Sequence, residues 1–247
     1  METGVLDRYS PGRTRFLNML TVATAISMAL ALGLALFYAS TDQVQGDVQR
    51  IFYVHVSAFT GGATAFFVTV IAGIAYLRTR APKWDRLAVA SVEIGLPLVT
   101  VTLLTGMIWA KPIWNTWWTS DDPRLNSMAV MWLLYAAYLT LRGAVENPER
   151  RMRYAAIYGI LAFVSVIYVF FVIRFRTDTL HPVVFGPSPV ESTAKGTFGV
   201  KDPRLVLTIS VGSIAWMLLA FTLMWHRLRM ENTAEHVRVL KARVLSQ

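Results

Sequence analysis

The sequence predicts an all-α integral membrane protein with six transmembrane helices and both termini in the cytoplasm. Two observations lead there: apolar residues gather in six long runs, and basic residues divide unequally between the loops that join them. A third, a cluster of tryptophans in a loop on the less basic side, marks where the chemistry should be sought.

The chain has 247 residues, of which 55% are hydrophobic, and a mean hydropathy of +0.46. A helix needs about 20 apolar residues to cross a bilayer. The first run, 16–38, is too long for a signal-peptide core. The residues after it, Phe37-Tyr38-Ala39-Ser40, make a weak cleavage site, so it is expected to stay as an anchor. The second, 51–77, carries His55 near its start and Gly61-Gly62-Ala63, which lets neighbouring helices approach closely. The third, 87–110, holds Glu93, the one charged side chain well inside an apolar run and a functional candidate by default. Pro97 in the same run frees backbone carbonyls and is expected to kink it. The fourth, 125–141, is short and draws on its flanks. The fifth, 154–173, and the sixth, 205–225, are plainly apolar, and 226–247 reads as a mixed-charge cytoplasmic helix. Residues 1–247 therefore form a single polytopic domain. The absence of an internal repeat weighs against an inverted-repeat transporter.

The net charge is +9, from 24 Lys and Arg against 15 Asp and Glu. With six spans, one side holds the N-terminal tail, the 78–86 and 142–153 loops and the C-terminal tail, with three, four, four and five basic residues. The other side holds 39–50, 111–124 and 174–204, with one, two and five. The positive-inside rule puts the first side, with both termini, in the cytoplasm. Attraction to the anionic lipid bilayer is a by-product. No nucleic-acid partner is expected, since the basic loops lack interleaved aromatics. The chain has no cysteine, which excludes disulfides, thiolate metal sites, iron–sulfur clusters and covalent C-x-x-C-H haem attachment. It has no phosphate-binding loop of the G-x-x-x-x-G-K-[ST] type, so nucleotide energy would come from a partner. No hydrolytic or redox active site is evident.

Of the three outer loops, 39–50 is polar and ordinary. The second, 109–125, packs Trp109, Trp114, Trp117 and Trp118 into ten residues. Trp114, Trp117 and Trp118 stand at i, i+3 and i+4, so a short interfacial helix would carry them on one face, with Pro112 in its first turn. Tryptophans gather at any membrane interface, so a plain aromatic belt competes with a binding surface. The third loop, 174–204, is long enough to suggest function and contains His181-Pro182-Val183-Val184-Phe185-Gly186-Pro187-Ser188-Pro189, whose prolines would stiffen it. His55 and His181 thus share a face with the tryptophans, whereas His226 and His236 fall on the other side. Two neutral imidazoles can occupy both axial positions of a haem iron. Trp114, Trp117 and Trp118 could wall the porphyrin, and Lys111, Arg124 and Arg176 could meet its propionates. Asp121 and Asp122 could pair with Arg124, cap the fourth helix or contact a partner. A cytochrome b type carrier is less apt, because its histidine ligands lie deep in facing helices.

These residues carry a resemblance. Trp109-Ala110-Lys111-Pro112-Ile113-Trp114-Asn115-Thr116-Trp117-Trp118 follows the pattern W-G-[KR]-P-x-W-G-T-W-W-x-W-D-x-R-L-T. Arg50-Ile51-Phe52-Tyr53-Val54-His55-Val56 matches an R-[IM]-x-Y-[IV]-H-V/A box, and Thr179-Leu180-His181 a T-L-H box. In this order the three boxes resemble the CcmC family of cytochrome c maturation proteins, within the tryptophan-rich (WWD) haem-handling superfamily. Departures exist. Two family glycines are Ala110 and Asn115 here, the tryptophan before the aspartate is missing, and either Asp121 or Asp122 is the motif aspartate.

The resemblance implies non-covalent haem b held at the outer face of the membrane. His55 and His181 would be its axial ligands, with Trp109, Trp114, Trp117, Trp118, Lys111, Arg124, Asp121 and Asp122 around it. It implies transfer to a periplasmic haem chaperone, alongside an ATP-binding-cassette (ABC) ATPase, a second membrane subunit and a small helper protein. The runner-up is a haem lyase that joins haem directly to apocytochrome c, though such proteins carry more spans and a further histidine pair. A third reading is a permease subunit of an ABC exporter, with the tryptophan loop only an anchor.

Overall fold

A computed structural model describes residues 11–176, 178–181 and 202–245. Among these, the chain forms six long α-helices: α1 (Pro11–Gly33), α2 (Ile51–Thr79), α3 (Pro82–Trp114), α4 (Pro123–Ala144), α5 (Pro148–Phe175) and α6 (Pro203–Leu245). Five begin on proline, whose fixed φ suits the first helical position and whose missing N–H is not needed there. Asp122 and Asn147 cap α4 and α5 through their side chains. A π-helical turn, Leu34–Tyr38, prolongs α1, and a 3₁₀ turn, Asp47–Arg50, leads into α2.

All six expected runs are helical. Five of the helices are long and apolar enough to cross a membrane, the mark of a multi-pass membrane protein. The exception is α4, where Asn126, Ser127, Thr140 and Arg142 dilute the apolar residues. The sixth span and the helix expected after it are one continuous helix of 43 residues. The third runs on to Trp114 and contains both Pro97 and Pro112.

The centre of the bundle is α2, which packs against α3, α5 and α6, while α4 lies on α3 and α5, and α1 on α6. Small residues make the close approaches possible. A Cβ on Gly61 would sit 2.8 Å from the Trp216 carbonyl oxygen of α6, and one on Gly62 would sit 2.5 Å from Val99 of α3. The main core joins α2 to α5 around Phe66, Val99, Met131, Tyr135 and Val166, with Phe66 and Tyr135 stacked at 3.4 Å. α1 is tied to α6 by Thr24 with Thr222 and by Thr21 with His226 Nε2, both at 2.8 Å.

Two ion pairs tie helices together. Glu93 meets Arg227 Nε of α6 at 2.7 Å, and Arg227 also reaches Glu231. The sequence reading left Glu93 as a functional candidate; the ion pair gives it a structural role. Asp85, at the start of α3, accepts two hydrogen bonds from Arg142 at the end of α4, at 2.5 and 2.8 Å. Both side chains are largely shielded, so losing one partner strands the other. Arg142→Met should lower stability by roughly 3 kcal/mol, measured as thermal unfolding in detergent. Adding Asp85→Asn should recover most of that loss.

Candidate functional site

Chain direction alternates through the bundle, so the start of α2, the end of α3, the start of α4 and the segment after α5 meet at one end. There they enclose a cavity of about 50 Å³ lined by His55, Trp109, Trp114, Trp118, Arg124 and His181, with Val56, Phe59 and Met128 beneath. Two histidines far apart in sequence thus share one small chamber.

His55 is held by α3. Its Nδ1 lies 2.9 Å from the Thr102 carbonyl oxygen, which can only accept, so Nδ1 carries the proton and donates. That leaves Nε2 with a free lone pair. The ring lies over Gly106, where a Cβ would stand 2.8 Å from His55 Cε1. Around it, Phe52, Tyr53 and Trp109 form an apolar cluster with the end of α1 and the start of α6. The Trp109 ring lies 6.0 Å from His55, edge to face, and its Nε1 donates to Gln45 Oε1 at 2.9 Å. Arg50, at the head of the same box, donates to the Ala35 and Ala39 carbonyls at 2.8 and 3.3 Å and to Thr41. It satisfies carbonyls where α1 ends and so fixes where α2 begins.

His181 is held by Asp122. The Asp122 carboxylate is 1% exposed and accepts four hydrogen bonds. Oδ1 takes the amides of Arg124 and Leu125, at 2.8 and 3.1 Å, and so caps α4. Oδ2 takes the Thr179 hydroxyl at 3.0 Å and the Leu180 amide at 2.6 Å. The same Thr179 oxygen accepts the His181 amide at 3.1 Å. His181 Nδ1 sits 3.6 Å from Asp122 Oδ1, just outside hydrogen-bond range, and has no partner among the described residues. Its ring meets Trp114 edge to face at 5.2 Å. Burial lowers the His181 pKa below its ordinary value; Asp122 opposes this and Arg124 adds to it. For Asp122, burial raises the pKa. His181 and the amides of Leu180 and Leu125 outweigh that and hold it well below the usual carboxylate range.

Several expected residues fall elsewhere. The short interfacial helix does not form. Asn115 adopts the left-handed conformation, φ 55, and ends α3 at Trp114, so Pro112 lies inside the last turn of α3 and not in the first turn of a new helix. Trp114, Trp117 and Trp118 therefore share no helical face. Trp118 lines the cavity, braced by Thr116 Oγ1, which donates to its carbonyl at 2.7 Å. Trp117 turns outward, 52% exposed, and Trp109 takes the place expected for it. Lys111 donates to the Asn115 carbonyl at 3.2 Å and closes the end of α3. Arg176 pairs with Asp178. Arg124 is the expected cation that lines the cavity, and its guanidinium has no hydrogen bond among the described residues. Asp121 is exposed, so Asp122 is the aspartate built into the site. The stretch Pro182–Pro189 lies outside the described residues. Thr102, Gln45 and Gly106 also hold the site, and no local pattern in the sequence marks them.

Chemically, the cavity offers one neutral imidazole with a fixed tautomer, a second with an open Nδ1, three indoles and an unpaired guanidinium. That donor set suits a flat, apolar metal complex with anionic edges. The fold and cavity together describe a polytopic membrane protein with a histidine–tryptophan chamber at one end. The family model for heme exporter protein C matches residues 6–243. The chain is 30% identical over 245 residues to heme exporter protein C of Bradyrhizobium diazoefficiens, covering 96% of this chain and 88% of that one. It is 26% identical over 215 residues to heme exporter protein C of Escherichia coli K12, covering 87% and 82%. The chain belongs to the heme exporter protein C family.

The two oxygens of Asp122 can be separated by mutation. Asparagine caps a helix as well as aspartate, but its amide cannot accept from Thr179 and Leu180. Asp122→Asn should leave α4 intact and speed hydrogen exchange at Leu180 and His181 about tenfold or more, the loss of one charge-assisted bond. Asp122→Ala should also fray the first turn of α4.

Proposed function

We propose that this chain holds haem non-covalently at the outer face of the plasma membrane and presents it to a periplasmic haem chaperone during cytochrome c maturation. The observation that carries this reading is that His55 and His181 line one cavity with Trp109, Trp114, Trp118 and Arg124. Membership of the heme exporter protein C family supports it.

Bound here, haem would supply an iron centre that takes imidazole nitrogens as ligands. His55 offers Nε2, because Thr102 occupies Nδ1. His181 turns Nδ1 toward Asp122 at 3.6 Å, so Nε2 would be its ligating nitrogen and Nδ1–H would donate to the carboxylate. The indoles of Trp109, Trp114 and Trp118 exclude water, and Arg124 receives a propionate. A cavity of about 50 Å³ is far below the roughly 300–1,000 Å³ of ligand pockets, so the wall must part to admit haem. The wall elements outside helices are the Trp118 turn and residues 178–181. Trp117, exposed beside them, would offer the chaperone an indole to contact.

The orientation follows from charge. The loops at the end away from the histidines, with both tails, hold 16 of the 24 Lys and Arg, so that end is cytoplasmic. The fourth helix completes the six spans: its 22 residues reach about 33 Å, enough for the hydrocarbon core. An ABC-type ATPase, a second membrane subunit and a small helper protein complete the assembly and supply the nucleotide energy this chain has no loop to bind.

Purified protein should show the absorption spectrum of b-type haem with two nitrogen ligands. His55→Ala and His181→Ala should each change it and lower occupancy; an unchanged spectrum in both variants would reject the assignment. Gly106→Ala pushes on the His55 ring without removing a ligand. It should weaken haem binding by roughly 10–100-fold, as outer-shell changes do, in a haemin titration.

A further inference from the structure

At the end of the bundle away from His55 and His181, a groove of about 910 Å³ lies between α1, α6 and the start of α3. Its wall is apolar, with Leu17, Leu20, Leu218, Phe221 and Trp225 prominent. Its rim carries three cations, Lys83, Arg86 and Arg229, and no Asp or Glu lines it. Lys83 lies over the Trp84 ring at 5.3 Å, and Arg229 reaches Thr14 Oγ1 at 3.4 Å. No carboxylate stands within ion-pair distance of any of the three among the described residues. The acidic groups nearby are already engaged: Asp85 by Arg142, and Glu93 and Glu231 by Arg227.

We propose that this groove binds one anionic phospholipid, its acyl chains between α1 and α6 and its headgroup on Lys83, Arg86 and Arg229. Three cations without an ion-pair partner among the described residues, at the mouth of an apolar slot, are the complement of an amphiphile with an anionic head. A soluble anion would leave the apolar wall bare, and an apolar partner helix would bury the three cations without a counter-charge. The volume lies at the upper end of the range for small-molecule sites, large enough for acyl chains. The groove also sits at the end bearing the basic loops 78–86 and 142–153, where anionic lipid concentrates. The site is separate from the histidine chamber and stands or falls without it.

The test uses the full chain in nanodiscs of equal phosphatidylglycerol and phosphatidylcholine, released into detergent and weighed by native mass spectrometry. Wild type should keep phosphatidylglycerol in preference. Lys83→Gln, Arg86→Gln and Arg229→Gln should lower that retention about fivefold per cation removed. Leu218→Trp, which fills the slot and leaves every charge in place, should lower it too. Arg150→Gln with Arg153→Gln, exposed cations at the same end but outside the groove, should leave it unchanged. The proposal is overturned by equal retention of the two lipids, by wild-type retention in the groove variants, or by an equal loss in the Arg150/Arg153 control. Displacement of the lipid by haemin, mole for mole, would also overturn it and reassign the groove.

Discussion

The histidine end of this molecule depends on one carboxylate. Asp122 is buried and accepts four hydrogen bonds, two from the first turn of α4 and two from the Thr179–Leu180 segment. A buried charge is costly unless fully paired. Here His181 and the backbone amides hold the carboxylate ionised, with no guanidinium clasping it. That leaves Arg124, two residues along, available to the cavity. A guanidinium clasping Asp122 would have given a stable site with no cation to offer. Capping through the backbone thus separates the anion that holds the loop from the cation that faces the chamber.

The other anchor is of a different kind. His55 needs no charge, because Thr102 fixes its tautomer and Gly106 gives its ring a floor. It stands on α2, the helix in contact with most of the bundle, and Arg50 pins the start of that helix to the end of α1. One imidazole therefore rests on the most rigid element and the other on a short non-helical segment. At the opposite end the pattern reverses: the ion pairs Asp85–Arg142 and Glu93–Arg227 lock helix to helix, and the groove cations Lys83, Arg86 and Arg229 stand outside them.

The positions of the six helices were legible because hydropathy reports burial in lipid or protein, and nothing in this chain disguises it. Their starts were not. Hydropathy windows opened a few residues late, since Pro11, Pro82, Pro123 and Pro148 set the first turns while polar residues still follow them. That His55, His181 and Arg124 would come together was legible, because all three fall beside the tryptophans at one face. The internal arrangement of the tryptophan loop was misread for a local reason. Spacing of i, i+3, i+4 implies a common face only if the backbone stays helical, and Asn115 in the left-handed region breaks it. Asparagine tolerates that conformation where most residues do not, so it serves where the family pattern has glycine. Gln45, Thr102 and Gly106 were invisible because each acts through a partner distant in sequence. No periodicity pairs Gln45 with Trp109, or Gly106 with His55.

The size of the chamber and the division of labour on Asp122 bear on each other. About 50 Å³ cannot take a porphyrin, so the proposed role requires a second, open arrangement. Opening need not disturb α4. The bonds to Oδ2 hold the loop, those to Oδ1 hold the helix, and the first pair can break while the second stays. Two charge-assisted bonds, each worth about 1.5–3 kcal/mol net, keep the closed form dominant by a few kcal/mol. A ligand shifts such an equilibrium only through its extra affinity for the open form. A bond from His181 to the iron would supply that extra affinity, and losing it at hand-over would let the Thr179–Leu180 segment return to the carboxylate. On the proposed function, release and closure would then be one event that shuts the vacated chamber against water.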